Sequence, residues 1–313
     1  MPLPARNGVG PGCVVLPTGP WQRILDFLVE RFRTIPRNEI EARMQRGDIV
    51  DDAGKPVLPS RSYTPHIKLY YYRTVDLEPH IPFEETVLFQ DDYLVVVDKP
   101  HFLPVIPSGP YVQETLLVRL INKLGINTLA PMHRLDRETA GVILFTVQPA
   151  LRGRYQKLFA HQKVTKHYEA IAPFRPELNF PITRHSRLVN GEPFIRMREA
   201  LGSEPGPPNA HTQVDLLEVL PCKTLARYRL SPISGKKHQL RVHMAALGIP
   251  IINDTLYPIH KIPLKSDLVS YDTPLQLLAR EIAFIDPITE VPRHYTSRLQ
   301  LGLPAPAGDV ANA

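Results

Sequence analysis

Hydrophobic residues along the chain switch between two spacings, and the switches mark its elements. Trp21, Leu25, Leu28, Val29 and Phe32 recur at three- and four-residue steps, which predicts an amphipathic helix. Pro36 and Asn38 can open a second helix, with Ile40 and Met44 inward and Gly47 as its stop. "DIVDDAGKPV" then reads as a short strand, a turn at Asp51 to Gly54 and a second strand. Residues 21–76 are expected to form one small unit. Residues 1–20, broken by Pro and Gly, read as a flexible tail, and the prolines of "DLEPHIPFEE" as a linker.

Beyond that linker the spacing of two dominates. "VLFQDDYLVVVDKP" predicts a hairpin turning at Asp91 and Asp92. "QETLLVRLINKLG" predicts a helix with Gly125 beyond its end. "GVILFTV", short and rich in branched residues, predicts a buried strand. "LRGRYQKLFAHQ" reads as a helix, "VTKHYEAIA" and "TLARYRLSP" as strands, and "SEPGPPNA" as a loop. "HQLRVHMAALG" reads as a helix with Leu240, Met244 and Leu247 inward and Gly248 as its stop. Residues 80–300 form the expected larger domain and 303–313 a frayed tail. Strands and helices mix without regular βαβ alternation, so the fold class is α+β rather than a doubly wound sheet.

Length and composition agree with this division. A chain of 313 residues, 43% hydrophobic and 22% charged, fits a soluble globular protein of about two domains. Lys and Arg number 37 against 31 Asp and Glu, a formal charge of +6. That mild excess permits a polyanionic partner without demanding one. The local signal is stronger: between 151 and 170, Arg152, Arg154, Lys157, Lys163 and Lys166 face only Glu169. Arg31, Arg33, Arg37, Arg43 and Arg46 are expected to give the 21–76 unit a basic surface. Cys13 and Cys222 lie far apart, so no disulfide framework is expected and a reducing compartment fits. Neither a signal-peptide core nor a membrane-length apolar run is present, and a cytoplasmic location is the expectation.

Three stretches carry candidate chemistry. In "PMHRLDRETAGVILFT", Asp136 sits in a polar turn feeding a buried strand, with Arg134 and Arg137 placing positive charge on either side. Taken alone, the stretch favours a salt-bridged loop residue. In "SPISGKKHQLRVHMAALGIPIIND", Ser234 and Gly235 lead into a helix whose first turn carries Lys236 and Lys237, an arrangement that attracts anions. Arg241 within it can reach a carboxylate. In "HQKVTKHYEAIA", Lys166, Tyr168 and Ala170 share a strand face, where Tyr168 is either a base-stacking ring or a half-buried cross-strand aromatic. His238 and His243 are five apart, off the same-face spacing of a helix, and no Walker-A, HExxH or GxGxxG pattern occurs. No metal or nucleotide cofactor is expected.

Together these stretches resemble the pseudouridine synthases of the ribosomal large-subunit synthase A type. "HRLDRETAG" resembles that family's His-Arg-Leu-Asp signature, "KHYEA" its Lys-x-Tyr motif, and "GKKHQLRVHMAALGIPI" its Gly-basic-x-His-Gln-Leu-Arg-Val-His motif, in the family's order over residues 84–295. The resemblance implies a mixed, mostly antiparallel sheet flanked by helices around a central cleft. "RNEIEARMQRGDIVDDAGKPV" is similar to the alpha-L (S4-like) RNA-binding module that often precedes this domain. The implied reaction detaches the base of a uridine in RNA, turns it and rejoins it to the same sugar through C5, without cofactor.

The resemblance makes Asp136 the essential carboxylate, acting on C1′ or on the 2′ proton, Tyr168 the residue stacked on the target base, and Arg241 the partner that positions Asp136. It also implies substrate contacts from His133, Arg134, Lys236 and Gln239, with Leu277 as an apolar wall. A base in structured RNA must be flipped out, at a cost of a few kcal/mol that phosphate contacts help offset, and Arg134 is a candidate to fill the gap. The expected partner is RNA, ribosomal in preference to transfer RNA, and the expected state a monomer.

This chain departs from the family pattern in four places. Ala140 stands where Ser is usual, His101-Phe102 where a Gly-containing turn is common, Leu278 where His is frequent, and Asn253-Asp254 for Gly-Asp. These bear on substrate choice more than on reaction type. Two other functions compete: a ribosome-assembly factor that binds RNA without catalysis, and a nucleic-acid glycosylase that releases the base.

Overall fold

The segment expected to be a flexible tail contains the first strand. In the computed structural model, which describes residues 2–73, 78–193, 195–257 and 271–302, β1 (Gly12–Val15) pairs antiparallel with residues 68–71, and Leu16 beyond it is fully buried. The prolines and glycines around "CVV" hide this order from local reading, because the strand is specified by its distant partner. The expected tail at 303–313 lies outside the described residues.

Two helices follow as predicted, α1 (Ile24–Arg31) and α2 (Arg37–Gln45), then β2 (Ile49–Asp51) and β3 (Lys68–Tyr71). The sheet order is β1-β3-β2. A second strand directly after the 51–54 turn does not form; residue 56 makes only a single bridge to Val50. Pro56 has no N–H to extend a ladder, and β3 takes the place beside β2. Ile24, Leu25, Leu28, Ile40, Met44 and Leu69 close the core between helices and sheet. The basic surface is partly neutralised, since Arg37 pairs with Asp26, Arg43 with Glu39 and Arg46 with Asp48.

The predicted linker coincides with a boundary at Pro79/His80, yet the larger domain is not continuous from 80 to 300. Pro107–Gly125, including α3 (Leu116–Leu124), belongs to the first unit. There Val112 and Val118 pack with Val9, and the Glu78 carboxylate accepts the backbone N–H groups of Val112, Gln113 and Glu114 at 2.6, 2.9 and 2.7 Å. Gly125 takes the left-handed conformation that ends the helix.

The second unit is built on one large sheet. Its first strands are the predicted hairpin β4 (Thr86–Gln90) and β5 (Leu94–Lys99), then β6 (Ala130–Pro131) and β7 (Ala140–Thr146). Helix α4 (Arg152–Ala160) leads to β8 (Val164–Pro173) and β9 (Ile182–Ser186), with a small β10 (Leu188–Asn190) and β11 (Met197–Glu199) pair aside. The long strands β12 (Ala210–Val219) and β13 (Leu225–Pro232) precede α5 (Gln239–Ala246), and β14 (Leu277–Ile285) and β15 (Pro292–Thr296) close the series. Strand order is β4-β5-β7-β14-β8-β13-β12-β9, with β15 on β14 and β6 on β7. All pairings are antiparallel except β7 with β14. The fold is the expected α+β class.

The two largest cores of this sheet lie at its helices. Tyr155 of α4 packs with Leu94, Val96, Val142, Leu144 and Phe284; Leu240 and Met244 of α5 pack with Ala170, Val214, Tyr228, Leu230 and Leu277. All seven residues of β7 are buried, as its branched sequence predicts. Where β7 begins, Gly141 lies beside Ala279 of β14 with φ of +114°. A Cβ there would meet the Ala279 carbonyl oxygen at 2.2 Å, so only glycine lets the two strands approach. Ala140, fully buried, packs with Ile171, Leu278 and Leu301, an apolar setting that suits alanine better than the family's usual serine.

Candidate active site

Asp136 lies in the loop between β6 and β7, which is tied down from several sides. Lys99, at the end of β5 and fully buried, donates to the carbonyls of Pro100, Leu103 and Arg137 at 2.9, 2.8 and 3.1 Å. Burial pulls its ammonium down to about 7, against the pull of Glu138 and Asp136. His101 bonds the Glu138 carbonyl at 2.6 Å, which gives the first of the two residues in place of a glycine turn a function in the loop. His133 faces the fold: its Nε2 accepts the Leu144 N–H at 3.3 Å and its ring stacks on Phe159. Burial, then Lys166, lowers its imidazole to about 3. His133 thereby anchors the loop to β7 and α4.

The cation beside Asp136 comes from α5. Arg241 Nη1 is 3.4 Å from Asp136 Oδ2, and 3.8 Å from Glu138, while its side chain is 1% exposed. Arg137 turns aside to Glu138 at 3.0 Å, and Arg134 is exposed on the loop. The flanking arginines therefore do not hold the carboxylate as the sequence alone had it. Arg241 is itself held by Asp254, through Nε and Nη2 at 2.7 Å each. Burial opposes the guanidinium charge, but Asp254, then Asp136 and Glu138, outweigh it and raise the pKa above its ordinary value. Asp254, whose carboxylate also accepts the Leu256 and Tyr257 N–H groups, is a site residue that the motifs did not flag as such.

Helix α5 starts later than predicted. Lys236 and Lys237 precede it as exposed turn residues, and His238 caps it in a left-handed conformation with φ of 55°. Gln239 then begins the helix buried, donating to the His211 carbonyl and Thr212 hydroxyl and accepting from Ser234 and the Lys236 N–H. All four of its bonding positions are spent inside the protein, so Gln239 is a strut and not the substrate contact it was expected to be. His238 was set aside by its spacing from His243, yet its Nε2 is 3.8 Å from Asp136 Oδ1.

Tyr168 and Leu277 belong to one apolar cluster on the sheet. Tyr168 lies on β8 opposite Leu230 and Ala279, half-buried, beside the cluster that contains Leu277 and Ala170. Burial, then Asp136, pushes its phenol up, so the ring stays neutral next to the carboxylate. Lys166, two residues earlier, donates to the Ser234 carbonyl at 3.1 Å and ties β8 to the turn before α5; burial lowers its amine to about 8. The second unit thus gathers a partly exposed carboxylate, a buried guanidinium, an imidazole and a phenol ring, flanked by exposed Arg134 and Lys236.

The RNA pseudouridylate synthase family matches residues 93–246, a span that includes Asp136, Tyr168 and Arg241. The dual-specificity RNA pseudouridine synthase RluA of Haemophilus influenzae is 32% identical over 216 residues, 68% of this chain and 90% of that protein. The mitochondrial tRNA pseudouridine(32) synthase of Saccharomyces cerevisiae is 32% identical over 174 residues, 55% of this chain and 36% of that protein. Among solved structures, human RNA pseudouridylate synthase domain containing 1 shares the fold with a TM-score of 0.56 at 21% identity, covering 71% of this chain and 86% of that one. With this identity and coverage, the chain belongs to the RNA pseudouridine synthase family, isomerases that convert uridine in RNA to pseudouridine.

Proposed function

We propose that Asp136 is the carboxylate that acts at the sugar of the target uridine, with Arg241 as its positioning partner and Tyr168 as the ring against the flipped base. The carrying observation is the 3.4 Å approach of a buried, Asp254-gripped guanidinium to a carboxylate that is itself 27% exposed. A merely structural pair would be satisfied by Asp254; the nitrogen left over is aimed at a carboxylate open to solvent. Arg134 fills the gap left by the flipped nucleotide, and Lys236 contacts phosphate. Both are exposed on the turns that flank Asp136 and α5. Leu277 is the apolar wall beside Tyr168.

The N-terminal unit adds an RNA-binding surface through Arg31 and Arg33, and this S4-like reading favours ribosomal over transfer RNA. The protein works as a cytoplasmic monomer. Among the described residues, no helix is long and apolar enough to cross a membrane. Pseudouridine is mapped across cellular RNA with the chain present, absent, or carrying Asp136→Asn. Ribosomal sites that vanish without the chain and in Asp136→Asn support the proposal. Activity that survives in Asp136→Asn refutes the role of Asp136, and sites confined to transfer RNA refute the ribosomal preference.

A further inference from the structure

Helix α4 and the turn after it carry positive charge that the site around Asp136 does not use. Arg154, Lys157 and His161 stand three and four residues apart and so share one face of the helix, and Lys163 follows in the turn. All four are exposed. The opposite face is spent on the core, with Tyr155 fully buried and Leu151, Leu158 and Phe159 packed beside it. The Lys163 N–H returns to the Leu158 carbonyl at 2.8 Å, which fixes that residue against the last turn.

These charges stay unneutralised where others in the same unit do not. Arg184 pairs with Glu199, Arg198 with Glu204, Arg227 with Glu218 and Arg229 with Asp215. Among the described residues, no carboxylate pairs with Arg154, Lys157 or Lys163. Glu169, the one acid between 151 and 170, is taken by Arg227 and Arg280. Like charges one turn apart cost a helix stability, and the core gains nothing from them. A surface that only had to stay in water would intersperse acids. A polyanion is the partner that rewards such a row, through release of its bound counterions.

Two contacts tie the row to the loop that carries Asp136. The His133 ring stacks on Phe159 of α4 with centroids 4.9 Å apart, and exposed Arg134 comes next on that loop. Arg152, at the start of α4, donates to the Thr128 carbonyl ahead of β6 at 2.7 Å. From Lys163 the chain runs straight into β8, where five extended residues, about 16 Å, lead to Tyr168. That reach passes the target nucleotide and meets phosphates further along the strand. The row from Arg154 to His161 is about 10 Å long, enough for roughly three phosphates of one strand.

Resting on the reading of Asp136 and Tyr168 above, we propose that α4 is a second RNA site, where Arg154, Lys157 and Lys163 grip the sugar-phosphate backbone flanking the target uridine. The test uses full-length protein and unmodified ribosomal and transfer RNA transcripts, with binding and turnover followed from about 50 to about 200 mM KCl. Three phosphate contacts add about 2 to 3 to the slope of log affinity against log salt. Wild-type affinity is therefore expected to fall roughly thirtyfold more across this range than that of Arg154→Gln/Lys157→Gln/Lys163→Gln. kcat at saturating RNA is expected to hold. Each single substitution removes about one third of the difference, and the singles decide should the triple variant melt early. Glutamine at Arg175, Lys223 and Arg229, exposed cations elsewhere in the same unit, is expected to leave the slope as it was. An unaltered slope in the triple variant, an equal loss in this control, or a fall in kcat with affinity intact overturns the proposal. Activity surviving in Asp136→Asn fells the reading of the site alone, since the salt measurement does not depend on it.

Discussion

Arg241 reaches Asp136 with the one terminal nitrogen that Asp254 leaves free. Nε and Nη2 of the guanidinium are both committed to Asp254 at 2.7 Å, and Nη1 extends to Asp136 at 3.4 Å. Removing Asp254 therefore strands a buried charge and frees it to rotate. Asp254→Ala is expected to cost roughly 3–5 kcal/mol of stability, as breaking buried pairs does, and to depress turnover in parallel. Urea unfolding and single-turnover assays check it; an unchanged denaturation midpoint would contradict the pairing.

Arg241→Lys tests the geometry rather than the charge. An ammonium can serve one carboxylate but cannot span Asp254 and Asp136 through separate edges. Turnover is expected to drop at least tenfold while the charge is retained, corresponding to about 1.4 kcal/mol or more. The measurement is kcat with saturating RNA.

Gly141 has neither room nor permission for a side chain. Gly141→Ala must shift β7 from the Ala279 carbonyl and also hold alanine at φ of +114°. A loss of about 3 kcal/mol or more is expected from overpacking and backbone strain together. A thermal melt of the purified variant reads this directly, and a wild-type melting point would refute the close approach.

Acid is expected to destabilise the second unit through buried histidines. His133 and His243 are held neutral by burial, with pKa values of about 3 and about 4 against an ordinary 6.5. Between those values the unfolded chain binds protons and the folded one does not, so stability is present above pH 6.5 and lost as pH falls toward 4 and 3. At pH 5 each histidine contributes a loss of about 2 kcal/mol. Urea midpoints at pH 7 and pH 5 measure the sum, and His133→Asn should flatten the dependence by about half.

Arg134 is expected to act on RNA alone. Arg134→Ala should leave stability unchanged within about 0.5 kcal/mol, weaken RNA binding, and reduce the salt dependence by about one phosphate contact. Turnover and binding across a salt series decide it; no change in either removes Arg134 from the interface.

What sequence could show divides along physical lines. β5 and β7 were legible because their burial is uniform, and α4 because Leu151, Tyr155, Leu158 and Phe159 recur at helical spacing. β1 was not, since its order comes from pairing with Lys68–Tyr71, more than fifty positions on. The start of α5 was misplaced because Lys236 and Lys237 are good helix formers, whereas His238 adopts a left-handed cap that no propensity foretells. Gln239 looked like a substrate contact because a polar residue in a motif reads the same whether it faces RNA or the His211 carbonyl. Asp136, Tyr168 and Arg241 were found together by their motifs, while Asp254 was visible only as a departure, its bond to Arg241 being set by the turn after α5.

The contacts around Asp136 also impose an order on synthesis. The carboxylate leaves the ribosome 105 residues before Arg241, and Gly141 waits longer still for Ala279 to arrive and fix the loop's far end. A nascent chain long enough to display "HRLD" has neither Arg241 nor the β14 strand that fixes the loop's far end. The growing polypeptide thus displays the motif before the contacts that surround it exist, and the assembled geometry around Asp136 arrives only when β14 docks.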